Sequence, residues 1–137
     1  MDKIVPVNEE YIFEGSILIS QTDLNGLITF TNRKFCEVSG YKVDELIGSN
    51  HNIIRHPDMP KAAFTKMWST IKGGQAWNGL IKNLRKDGLF YWVDTEIIPV
   101  YNDNEEITGY ISTKKVASRK DIKENEAFYR KMLETEN

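Results

Sequence analysis

The sequence predicts an α+β domain: one five-stranded antiparallel sheet with its helices covering one face, followed by a C-terminal helix. Three observations carry this. Turn signals join alternating segments at both ends of the chain, a helically spaced middle separates them, and an amphipathic stripe follows the last strand.

"SILISQTD" (16–23) sets Ile17 and Ile19 against polar neighbours at period two, as a strand does. "LNG" (24–26) is a turn, and "LITFTN" (27–32) returns as the second strand of a hairpin. In "RKFCEVSGYKVDELIG" (33–48), Phe35, Val38, Val43, Leu46 and Ile47 recur at helical spacing, with Gly40 and Gly48 as stops and Asn32 as the N-cap. After "NHNIIRHPDMPKAAF" (50–64), Pro60 suits the first turn of a helix. "KAAFTKMWSTIK" (61–72) then places Ala63, Phe64, Met67, Trp68 and Ile71 along one face. Gly73-Gly74 ends it.

"AWNGLIKNLRK" (76–86) and "LFYWVDTEIIPVY" (89–101) are long strands joined at Asp87-Gly88, a strong hairpin signal. The polar turn "NDNEE" leads into a fifth strand, "ITGYISTKKV" (107–116). From Ser118, a cap with Asp121, the residues Ile122, Asn125, Tyr129, Met132 and Leu133 trace a helical stripe. Residues 1–15 are an N-terminal extension, 16–117 the domain and 118–137 the terminal helix.

At 137 residues, 40 % apolar and 28 % charged, the chain has the composition of one globular domain. A net charge of −2 gives no basic footprint, so no nucleic-acid partner is expected. No apolar run reaches the ~20 residues of a membrane span, and the N-terminus lacks a signal peptide's pattern. Cys36 alone cannot form an internal disulfide, and a cytoplasmic location is expected. His51 and His56, five apart with no cysteine near, lack metal-ligand spacing. No nucleophile triad, phosphate loop or paired catalytic carboxylates stand out, so no enzyme is expected.

"TDLNGLITFTNRKFCEVSGYKVDELIGSNHNIIRHPD" followed by "KNLRKDGLFYWVDTEIIPVYNDNEEITGYIST" resembles a PAS domain. Within that superfamily the chain is similar to the flavin-binding PAS domain of bacterial aerotaxis receptors, on "HNIIRHPDMPKAAF", "KNLRKDG" and "YWV". The resemblance implies a sheet cupping FAD, with the redox state or oxygen reported to chemotaxis and aerotaxis signalling. It implies a chemotaxis signalling protein or receptor domain as partner, and a homodimer is expected. A looser resemblance to light-sensing relatives places His51 where those carry a reactive cysteine, and Cys36 lies too early to replace it. No cysteinyl-adduct photochemistry is expected.

The resemblance assigns cofactor-binding candidates. Asn83 matches an amide placed against the flavin's pyrimidine edge, where a donor and an acceptor side by side are needed. At period two Trp77, Gly79 and Ile81 share its face, with Trp77 as an aromatic wall. Arg55, His56 and Asp58 match the family's "RHPD", with Arg55 suited to the ribityl-phosphate side. The residues by themselves allow a plainer role, Asp58 capping the helix near Pro60 with Arg55 paired to it. Asn50 matches a flavin-contacting asparagine of the light sensors. Phe64 and Trp68 match aromatics of the helix that covers the slot. Lys114 stands where light sensors carry a flipping glutamine; with donors only, it would act by charge and favour an anionic ring. A solvent-facing strand lysine is the alternative there. Haem is disfavoured because neither histidine is on the long helix. The rival function is a PAS interaction domain that dimerises without FAD or holds another small ligand.

Overall fold

The computed structural model describes residues 3–136. Five strands, β1 (Leu18–Asp23), β2 (Ile28–Thr31), β3 (Trp77–Leu84), β4 (Phe90–Tyr101) and β5 (Ile107–Val116), form one sheet in the order β2-β1-β5-β4-β3. Every pairing is antiparallel. The chain closes the β1–β2 hairpin at one edge and crosses over through α1 (Arg33–Ser39), α2 (Val43–Leu46) and α3 (Lys61–Lys72). It builds the other edge with β3 and β4 and returns with β5 to the centre.

Local chemistry explains the elements. Asn32 caps α1 by accepting the Phe35 N–H at 3.1 Å, and its amide also bonds the Ile17 carbonyl at 2.9 Å, tying the helix to β1. Gly40, at φ 80°, ends α1 in the left-handed region and splits the helical run in two. Phe35, Val38 and Leu46 enter the core, whereas Val43 and Ile47, on the expected apolar stripe, are exposed because α2 lasts only one turn. Pro60 precedes α3 instead of sitting in its first turn. The free amides of Lys61 and Ala62 are capped from far along the chain, by the carboxylate of Glu136 at 3.0 and 2.9 Å.

The terminal helix α4 (Arg119–Glu136) packs on its own domain. Ile122 and Tyr129 are buried, the Tyr129 ring stacks on Trp92 of β4, and its hydroxyl donates to the Leu80 carbonyl at 2.6 Å. The segment before β1 also contributes to the core: Phe13 meets Tyr91 edge to face, and Tyr11 donates its N–H to the Phe90 carbonyl.

Sheet parity decides what the interior becomes. In register, Leu18, Ser20 and Thr22 of β1 pair with Lys114, Ser112 and Tyr110 of β5. These in turn pair with Thr95, Ile97 and Pro99 of β4. Ser20, Thr22, Thr95, Ser112 and Lys114 are all buried, so the inward face is polar, while Ile17 is turned out and half exposed.

Candidate functional site

Between that polar inward face and α3 lies a cavity of about 330 Å³, within the range of small-molecule sites. Its floor is Ile81 and Asn83 of β3, Thr95 and Ile97 of β4, and Tyr110, Ser112 and Lys114 of β5. Its roof is Phe64, Met67, Trp68 and Ile71 of α3. Exposed Asn25, Asn50 and Asn52 frame the solvent side, with His51 and Arg55 between them and the floor. The slot is apolar above and polar below. Two buried side-chain atoms on its floor, Asn83 Nδ2 and Thr95 Oγ1, have no hydrogen-bond partner in the protein. Leaving such groups buried and unpaired costs about 1–3 kcal/mol each.

Six of the expected site residues line this cavity: Asn50, Arg55, Phe64, Trp68, Asn83 and Lys114. Arg55 bridges backbone to backbone with Asn83, its guanidinium lies 4.3 Å over the Phe64 ring, and it donates to the Met59 carbonyl at 3.4 Å. The Asn50 side chain accepts the Asn52 N–H at 3.0 Å and so caps the 3-10 turn His51–Ile54.

Lys114 does not face solvent. It is 1 % exposed, with Nζ donating to Ser20 Oγ at 3.0 Å and Ser112 Oγ at 2.8 Å. Burial without a carboxylate partner pushes its ammonium down to about 7.

Three expected residues are not brought to the cavity. His56 is buried edge to face against Phe90, and its Nδ1 accepts the Asp58 N–H at 3.0 Å. Burial and the Lys82 charge lower its pKa, and the Asp58 carboxylate pulls the other way. Asp58 neither caps α3 nor pairs with Arg55. Its carboxylate lies 2.8 Å from Lys82 Nζ, on the outward face of β3. Burial pushes that carboxyl up, but the Lys82 hydrogen bond and charge outweigh it and hold the group below its ordinary value. Residues 56–59 wrap the edge of β3, since Met59 Sδ also accepts the Lys82 N–H at 3.4 Å, so only the arginine of "RHPD" turns inward. Trp77 lies across Gly79: a Cβ at 79 would meet the indole at 2.6 Å. The ring fills the space beside Gly79 and packs with Met67, Ile71, Ile97 and Tyr110 instead of walling the cavity.

Sequence reasoning missed Ser20, His51, Thr95, Tyr110 and Ser112. His51 reaches the cavity with Nε2 3.1 Å from Ser20 Oγ, and burial together with the Lys114 charge lowers its pKa to about 3. For the β1 and β5 residues the available signal was Ser20 with Thr22, and Tyr110 with Ser112 and Lys114, alternating out of phase with Ile19 and Ile111.

The sequence pattern described as the PAS fold matches residues 28–114. This chain belongs to the PAS family. It is 44 % identical over 117 residues to the aerotaxis receptor of Escherichia coli K12, covering 85 % of the chain and 23 % of the receptor. It is 32 % identical to a blue-light photoreceptor of Listeria innocua, covering 68 % of the chain and 37 % of that protein. The chain thus spans about a quarter of the aerotaxis receptor's length and just over a third of the photoreceptor's. Among solved structures, a PAS domain from Colwellia psychrerythraea superposes with a TM-score of 0.69 at 25 % identity, covering 75 % of this chain and 87 % of that one. In this PAS domain the sheet order, the helical cover and the cavity between them are the frame in which the site residues stand.

Proposed function

We propose that this PAS domain binds a flavin, FAD, in the cavity beneath α3 and reports redox state or oxygen to chemotaxis signalling. The observation that carries the reading is the unpartnered Asn83 Nδ2, a buried donor on a residue that lines a slot with an aromatic roof. An isoalloxazine ring offers carbonyl acceptors along one edge and apolar faces, which fits that donor and the Phe64–Trp68 roof. Asn83 and Thr95 would hold the ring's polar edge, and Arg55 would meet the ribityl-phosphate arm on the solvent side. Lys114 would contribute its amine to the floor of the site. When bound, the flavin supplies reversible electron transfer.

His56, Asp58 and Lys82 support this indirectly by pinning the loop that carries Arg55 to the edge of β3. Relatedness to an aerotaxis receptor supports a sensory module whose partner is a receptor domain or chemotaxis protein, and its proposed form is a cytoplasmic homodimer. Among the described residues no helix is long and apolar enough to cross a membrane.

The test is direct. Purified protein should be yellow, with bands near ~450 and ~370 nm, and the extracted cofactor should have the mass of FAD. Colourless protein that gains no such bands on incubation with FAD would sink the proposal.

A further inference from the structure

The cavity lining carries two cationic residues, Arg55 and Lys114, and no carboxylate. Arg55 stays charged, but Lys114 differs. Its amine is sealed on the floor, gives two N–H bonds to Ser20 and Ser112, and lies 4.8 Å from the Phe35 ring centroid. With Lys114 as an ammonium, Ser20 Oγ accepts from Nζ and gives its own hydrogen to His51 Nε2, the imidazole proton then sitting on Nδ1. With Lys114 as a neutral amine the polarity reverses, His51 Nε2–H donating to Ser20 and Ser20 O–H to Nζ. A continuous hydrogen-bonded chain therefore runs from Lys114 through Ser20 to His51, and His51 borders the exposed Asn50 and Asn52.

We propose that Lys114 is the proton site of this cavity: its amine takes up one proton, by way of Ser20 and His51, when a negative charge enters the cavity, and releases it when the charge leaves. The proposal rests on the flavin reading, which supplies the charge. One electron arrives from a low-potential reductant, one proton arrives from solvent at Nζ, the neutral amine becomes an ammonium, and the net charge of the buried site is unchanged. Desolvation favours such compensated uptake, because an unpaired charge of either sign is costly at the buried floor of the cavity.

The groups facing Lys114 leave it as the titrating member. His51, from the 3-10 turn, is held neutral by burial and by Lys114 itself. Tyr110, on β5, is raised by burial and stays neutral. Arg55 is fixed as a cation. The contributions of α1 (Phe35), α3 (Phe64, Met67, Trp68, Ile71), β3 (Ile81, Asn83) and β4 (Thr95, Ile97) carry no titratable group. Asp94, Glu96 and Lys115 stand on the opposite, outward side of the sheet. With its affinity for protons already lowered to about 7, the Lys114 amine is poised to change state at physiological pH.

The experiment is a potentiometric titration of the flavin-loaded protein at a series of pH values, resolving the one-electron step. The potential should be level below a break at about 7. Above the break it should fall tenfold in equilibrium constant per pH unit, about 59 mV for one electron. Lys114→Met should lower the potential and abolish the break. Lys114→Arg, permanently charged, should keep the potential high and level throughout. A direct readout needs no variant: side-chain nitrogen NMR of labelled lysine on the alkaline side of the break should show Lys114 turning from amine to ammonium on reduction. A yellow protein whose break survives in both variants, or whose Lys114 signal does not respond to reduction, overturns the assignment while leaving the flavin reading intact. Protein that binds no flavin overturns both. In that case NMR titration of the flavin-free chain still shows whether Lys114 is a near-neutral buried amine.

Discussion

Asn83→Leu should make the flavin-free protein more stable while weakening its ligand site. Asn83 is 2 % exposed and its Nδ2 has no protein partner. Removing an unsatisfied buried donor returns about 1–3 kcal/mol, and the larger leucine has the adjoining cavity to expand into, so overpacking does not cancel the gain. At roughly 2–4 °C per kcal/mol for a chain approaching 150 residues, Tm should rise by about 2–12 °C. Flavin affinity should move the other way. Loss of one hydrogen bond of about 1.5 kcal/mol is about tenfold in Kd, and more when the ligand's carbonyl is left unpaired. Thermal melts of flavin-free protein and fluorescence titration with FAD measure the two arms. Thr95→Val, an isosteric removal of the second orphaned group, should repeat the stability gain at about 1 kcal/mol. If Asn83→Leu and Thr95→Val both lower Tm, these polar groups are satisfied in solution and the inference that they await a ligand is wrong.

Stability of the flavin-free domain should climb with pH over two windows. The folded-state pKa values of both His51, lowered from 6.5 to about 3, and Lys114, lowered from 10.5 to about 7, lie below their unfolded values. In each interval the unfolded chain therefore binds more protons, and stability is gained from pH 3 to 6.5 and again from 7 to 10.5, by at most about 1.4 kcal/mol per unit. Urea midpoints across pH would record it, and a Lys114→Met variant should lose the alkaline rise. Gly79→Ala puts a methyl 2.6 Å from the Trp77 ring, so the indole must move. A loss of about 1–3 kcal/mol and a shifted tryptophan emission are expected, and wild-type values for both would mean the indole does not rest on Gly79. Tyr129→Phe removes the 2.6 Å bond to the Leu80 carbonyl while keeping the stack on Trp92. It should cost about 1 kcal/mol and speed amide exchange in α4, and unchanged exchange would show that α4 does not depend on this bond.

Much of the site depended on knowing which way strands face. Ile17 and Ile19, at the start of the first strand segment, recur at period two, and the ordinary rule would point them at the core. The structure turns Leu18, Ser20 and Thr22 inward instead: Leu18 packs in the core, Ser20 meets Lys114 and His51, and Thr22 lines the cavity. The same phase buries Lys114, whose orientation its own strand sequence left open. "RHPD" shows a second limit. Four adjacent residues look like one site, yet the β3 edge divides them, sending Arg55 to the cavity and the Asp58 carboxylate to Lys82 on the far side.

What the sequence determined alone is what local chemistry sets. Asn25-Gly26 and Asp87-Gly88 make the hairpins, Asn32 and Gly40 bound α1, and the stripe of Ile122 and Tyr129 declares α4. These depend on backbone conformation and side-chain spacing within a few residues, so they are legible in one dimension. The tertiary structure decided which face of each strand is inside, that Glu136 caps a helix 75 residues earlier, and that Lys114 shares a chain of hydrogen bonds with Ser20 and His51. Those outcomes turn on which distant segments exclude water together, and burial of that kind has no signature in the residues on either side.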